Sequence, residues 1–235
     1  MGLMVLILTG NSRLLAEDMS NLALLYKQWR AALLNEIRTS RKPSLLLTSA
    51  VYYAPKLTLV EPRSYPVEAI LRYLDWISPM CFDYHGSWEN FTGVHSALRD
   101  ANSNFSHTLW NRVVDPSRCA ARKGCHGAAV VWADMEAPGA VRYGIGAPAL
   151  GVGPGGGLMD YQQILDFNDE NNATVVFDGQ TVSYYSYAGD SWIGYDDVQS
   201  VRLKIQFARS RQLGGYFFWA LGKDKDWTIS SLGML

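Results

Sequence analysis

Between Glu17 and Ser40 apolar residues return every three or four positions, at Leu22, Leu25, Tyr26, Trp29, Leu33 and Ile37. That spacing predicts an amphipathic helix with one stripe turned to a core. Asp18 or Ser20 is placed to cap its start. The pattern then changes. "KPSLLLTSAVYYAP" holds an apolar run between two prolines, which fits a strand covered on both faces, as in a parallel sheet. "YPVEAILRYLD" reads as a short helix, "WISPMCFDYHG" as a second buried strand ending in polar residues, and "SNFSHTLWNRVV" as a helix. Further on, "LMDYQQILDFN" predicts a helix and "ATVVFDGQTVSYYSYAGDSWIGYDD" a set of antiparallel strands. "VQSVRLKIQFARSR" predicts a helix with Val198, Val201, Ile205 and Ala208 on one face, and "LGGYFFWALG" a closing buried strand. Strands alternating with helices indicate an α/β fold. Residues 144–195 are more antiparallel and look like an insertion into it.

Composition adds little to this picture but removes some alternatives. Hydrophobic residues make up 48% and charged residues 18%, enough for a sizeable core. The net charge of −1 gives no electrostatic footprint for nucleic acid or an anionic membrane. Cys81, Cys119 and Cys125 make neither a disulfide framework nor zinc spacing, and a Cys119–Cys125 bridge stays open. No metal or cofactor is expected. The start "MGLMVLILTG" lacks a basic leader and is too short to span a bilayer. Three N-glycosylation sequons, at Asn90, Asn104 and Asn172, point towards a secreted lineage.

Two stretches imitate sites. Gly151, Gly153 and Gly156 have nucleotide-loop spacing, but Pro154 sits inside the turn and no strand leads in, so a loop is expected. "KGCHGAAVVWADMEAPG", Lys123 to Gly139, offers Asp134 and Glu136 as a carboxylate pair after a strand-like run.

"PMCFDYHGSW" and "GGYFFWALGKDKDW" at two strand ends, with "GIGAPALGVGPGGGLMDYQQI" and "YAGDSWIGYDD", resemble glycoside hydrolase family 18, in its plant class V chitinase group. The resemblance covers about Glu17 to Asp226 with one gap. It implies a (β/α)8 barrel with its site at the carboxyl ends of the strands. It also implies hydrolysis in which the N-acetyl group of the sugar attacks its own anomeric carbon while a Glu protonates the leaving oxygen. Met80 and Asp83 fall on the family's M-x-Y-D pattern, with Asp83 facing the sugar. Phe82 falls where many members have a Tyr that hydrogen-bonds the acetamide. Trp219 falls on the aromatic floor under the sugar, and Tyr84 and Trp88 are further candidate contacts.

The family signature D-x-x-D-x-D-x-E, which ends in that Glu, does not occur in this chain. Its place, just before Glu17, reads "LMVLILTGNSRL". Codons can be chosen for Leu3 to Leu14 that spell D-G-L-D-L-D-W-E-F-P-A when read from the third base. Codons for Lys123 to Gly139, with one base dropped, spell K-V-V-M-G-L-P-L-Y-G-R-T-W-K-L-R, a family seventh strand. Two long matches at the two expected places identify both stretches as frame-shifted, so Asp134 and Glu136 carry no role and no catalytic residue is assigned.

The expectation is a partial (β/α)8 TIM barrel, about strands four to eight, with a small α+β insertion. Residues 1–137 form the barrel's fourth-to-seventh-strand region, 138–196 the insertion, and 197–235 the last barrel helix and strand. "MGLMVLIL" and "GAAVVWA" are apolar enough to stand in as strands. Three functions compete: a hydrolase of β-1,4-linked N-acetylglucosamine polymers, a chitin-oligosaccharide-binding pseudoenzyme or lectin, and a non-functional truncated product. The expected partner is chitin or its oligosaccharides, and the family address is extracellular or vacuolar.

Overall fold

The structure is a computed structural model that describes residues 3–6, 16–52, 56–57, 63–86, 88–99, 133–136 and 143–234. They divide into two compact units. One holds the described residues up to 80 with 212–215; the other holds 81–99, 133–136, 143–211 and 216–234.

In the first unit three parallel strands lie in the order β1 (Leu3–Leu6), β2 (Leu46–Tyr52), β5 (Trp76–Met80). Leu3 pairs with Leu46, and Thr48 with Trp76. A short antiparallel pair, β3 (Lys56–Leu57) and β4 (Arg63–Ser64), intervenes. The apolar start thus does form a strand. β2 is central, which explains its pattern. Leu47 and Val51 point into a core with Leu22, Tyr26 and Leu33 of α1 (Ala16–Ser40), Ala69 and Ile70 of α2 (Val67–Tyr73), and Ile77. Thr48 on the opposite face is buried as well. The Tyr26 hydroxyl donates to Ser49 Oγ at 2.8 Å, so the buried phenol is satisfied. Arg30 spans the α2–β5 turn, donating to Tyr73 O and to Asp75, whose carboxylate also accepts from Leu47 N, each at 2.7 Å.

Two expectations for α1 change. The helix begins at Ala16, so Asp18 and Ser20 lie inside its first turns and are not caps. Leu25 is 38% exposed, because the buried stripe runs through Leu22, Tyr26 and Leu33 and leaves Leu25 at its margin.

The second unit is built on an antiparallel sheet in the order β6 (Ala133–Glu136), β9 (Ser191–Tyr195), β8 (Ser183–Ala188), β7 (Thr174–Asp178). β8 and β9 close through Gly189-Asp190, with Ala188 paired to Ser191 and Gly189 at φ 56°. A positive φ at the first turn residue is what such a two-residue hairpin asks for. Ile193 and Tyr195 pack on Tyr161 and Ile164 of α3 (Tyr161–Glu170) and on Val201 and Ile205 of α4 (Val198–Ser210). The stripe expected for α4 is therefore its buried face. Trp192 on the other side of the sheet packs with Val94, Ala97 and Ala149.

The glycine run is a loop, as expected. It ends in a 3-10 turn at Pro154–Gly157, where Gly155 and Gly156 adopt φ 70° and 69°. "LGGYFFWALG" is corrected: residues 213–220 form no strand. A strand needs a neighbour for its backbone N–H and C=O groups, and no described strand pairs with this segment. "SNFSHTLWNRVV" lies outside the described residues, as does "GAAVVWA" except Ala133. Ala133 begins β6, which pairs antiparallel with β9, Asp134 opposite Ile193 and Glu136 opposite Ser191.

Candidate functional site

Met80 is the last residue of β5, opposite Tyr52 and half-buried. It belongs to the first unit; the other five candidates belong to the second. Beyond Met80 the chain leaves the sheet, and Asp83 takes a left-handed conformation at φ 55°. That turn is uncommon for a residue with a side chain, and Asp is among those that tolerate it. The Asp83 side chain keeps an open face, yet the protein around it removes enough water to raise its carboxyl above the usual range.

Phe82 is half-buried and meets Phe217 edge to face, ring centroids 6.5 Å apart at 73°. This contact joins the two segments that carry the resemblance, since Phe217 lies two residues before Trp219. Trp219 is 47% exposed and Trp88 68% exposed. The Trp88 indole lies over Gly86, where any Cβ would collide with the ring. Gly93 packs as closely under the His85 imidazole, which would have to move if a Cβ were added there. Tyr84 donates its N–H to His95 O at 3.2 Å and packs against the core of Val94, Ala97, Ala149 and Trp192. Tyr84 is thus tied down from both main chain and side chain, while the two indoles stay open to solvent.

The same unit holds a charged cluster that the sequence reading missed. Lys204 of α4 is fully enclosed and donates to Asp196 Oδ1 at 2.6 Å, Asp196 Oδ2 at 2.7 Å, Ser96 O at 2.6 Å and Ser96 Oγ at 3.0 Å. Three ammonium protons serve four acceptors, so one is shared. Asp196 is itself wholly buried and accepts further bonds from Ser96 Oγ at 2.5 Å and Ser200 Oγ at 2.6 Å. Burial pushes the Lys204 ammonium down, and the adjacent carboxylate opposes that. The cluster fastens the 84–97 segment, which bears Tyr84 and Trp88, to the start of α4. A signal was present: Lys204 stands three residues after Val201 and four before Ala208, on the stripe read as apolar.

Cys81 sits at the edge of this cluster. Burial pushes its thiol up to about 11, and a hydrogen bond with Tyr84 and the Lys204 charge only partly offset that. A thiol with so high a pKa is protonated at neutral pH, and the thiolate is the nucleophile. We expect Cys81 in the folded protein to resist iodoacetamide at pH 7.5 and to react on addition of denaturant. Rapid labelling of the native protein at Cys81, read by peptide mass spectrometry, would contradict this burial.

The sequence that builds these elements matches a known family. Residues 7–224 match the Glycosyl hydrolases family 18. The chain belongs to that family. It is 52% identical over 217 residues to a class V chitinase of Lotus japonicus, covering 91% of this chain and 55% of that protein. It is 43% identical over 223 residues to Nod factor hydrolase protein 1 of Medicago truncatula, covering 92% and 57%. Among solved structures, a mutant family 18 chitinase from Cycas revoluta in complex with (GlcNAc)4 is 39% identical with a TM-score of 0.87, covering 97% of this chain and 66% of that one. This family 18 chain thus spans a little over half the length of these two plant relatives. Its fold neighbours are of the TIM-barrel type with mixed α and β content, in line with the expected α/β class.

Proposed function

We propose that this family 18 chain binds β-1,4-linked N-acetylglucosamine oligomers and does not cleave them. The observation that carries this is the presence of two exposed indoles together with a missing acid. Trp219 and Trp88 keep exposed indoles, and Phe82 links the Asp83 segment to that of Trp219. Ring faces of this kind cover the apolar face of a pyranose. The sequence contains no D-x-x-D-x-D-x-E, and hydrolysis of the family type requires a carboxylic acid at the end of that signature. The solved relative that binds (GlcNAc)4 supports the choice of ligand. The same reading treats the chain as strands four to eight of the barrel with the α+β insertion at 138–196, and Phe82, Asp83, Tyr84, Trp88 and Trp219, all of the second unit, as sugar contacts.

Titration with N-acetylglucosamine tetramer, followed by indole fluorescence, should saturate. Product analysis of the same mixture should show no shorter oligomers. Trp219→Ala should weaken binding roughly 10- to 30-fold, the size of about 1.4–2 kcal/mol for an aromatic contact at the centre of a site. Release of dimer at a rate typical of an intact chitinase would restore the hydrolase reading. No saturable binding at millimolar tetramer would leave a chain without either activity.

A further inference from the structure

Of the three sequons, two lie among the described residues, and the fold presents them differently. Asn172 lies in the tight turn between α3 and β7, at φ 46°, and is exposed. Thr174, the hydroxyl residue of the same Asn-Ala-Thr sequon, opens β7 and is exposed too. The preceding Asn171 uses its own side-chain amide to close the helix, donating to Phe167 O at 2.9 Å. The Asn90-Phe-Thr sequon is held otherwise. Thr92 is wholly buried, its hydroxyl donating to Gly144 O at 2.8 Å and accepting from Ala147 N at 3.0 Å, and Asn90 O accepts from Ala149 N at 2.8 Å. An enzyme that must grip the Thr92 hydroxyl has to act before this ladder closes. Asn104 lies outside the described residues.

We propose that Asn172 is an N-glycan acceptor, favoured over Asn90 on the secretory route. The donor is a lipid-linked oligosaccharyl diphosphate. The Asn172 side-chain nitrogen forms a bond to the sugar C1 as the bond from C1 to the diphosphate oxygen breaks. The lipid diphosphate leaves, and the amide proton passes to a base of the transferase. The position also suits the fold. β7 is an edge strand of the four-stranded sheet, and Val175 next to the sequon is 46% exposed. Exposed strand edges with apolar side chains invite pairing with other chains, and bulk beside them prevents it. The assignment does not depend on the sugar-binding reading, since it rests on a different segment and a different chemistry.

The test is translation of the full chain, behind a cleavable leader, into endoplasmic reticulum microsomes. With Asn90→Gln and Asn104→Gln both present, a gel shift reversed by endoglycosidase should remain. Adding Thr174→Ala should abolish it, and Thr174→Ser should keep it; none of these readouts requires the variant to fold. In the unaltered chain, mass spectrometry after deglycosylation should give higher occupancy at Asn172 than at Asn90. Absence of a shift in the double variant, or higher occupancy at Asn90, overturns the proposal.

Discussion

Lys204→Met is expected to destabilise the unit that carries the aromatic surface by about 3–5 kcal/mol, because it strands a buried carboxylate without its counter-charge. Asp196 is fully enclosed and holds both oxygens within 2.7 Å of the ammonium. The two Ser hydroxyls that remain at 2.5 and 2.6 Å supply hydrogen bonds but no charge. Asp196→Asn should remove the stranded charge, so the double variant should recover part of the loss and be more stable than Lys204→Met alone. Denaturant titrations of the four proteins of this cycle measure the coupling. A Lys204→Met loss below about 1 kcal/mol would show that water reaches Asp196 and that the cluster is not closed. Tetramer binding should weaken along with stability, because the same bonds hold the 84–97 segment against α4.

Restoring the reading frame is expected to raise the rate at which N-acetylglucosamine oligomers are cleaved. The repair reads both proposed stretches of the coding DNA in the shifted frame and places the result in a full-length class V barrel. The restored signature then brings a Glu as general acid, with the acetamide of the sugar as nucleophile. General acid catalysis is worth about a hundredfold to ten-thousandfold, and the rate of oligomer cleavage should rise by at least that factor, with retention at the anomeric carbon. Phe82→Tyr in the repaired protein should raise it further, since a phenol can donate to the acetamide and a phenyl ring cannot. Asp134→Asn and Glu136→Gln in the unrepaired chain should leave its behaviour unchanged. The coding sequence is the sharper check. If the shifted frame across codons 3–14 and 123–139 does not spell the two family strands, the frame explanation is wrong, and Asp134 and Glu136 return as candidates.

Periodicity was enough to place most elements. The three- and four-residue repeat of α1, the long apolar run of β2 and the alternation in β7 to β9 follow from local geometry, because side chains recur every 3.6 residues in a helix and every two in a strand. The motifs around Asp83 and Trp219 were legible for a different reason. They are short and contiguous, so the family likeness survives in one chain. Three things were decided by tertiary structure alone. Residues 213–220 look like a buried strand, yet strand formation depends on a partner that local sequence does not specify. Leu25 fits the helical stripe but lies at its margin, because the neighbours that cover Leu22 and Tyr26 set the width of the buried face. Lys204 stands on an apolar stripe where a buried lysine without a partner would be costly. Only the fold brings Ser96, more than a hundred residues before it, to complete its shell with Asp196, and such long-range pairing leaves no trace in periodicity.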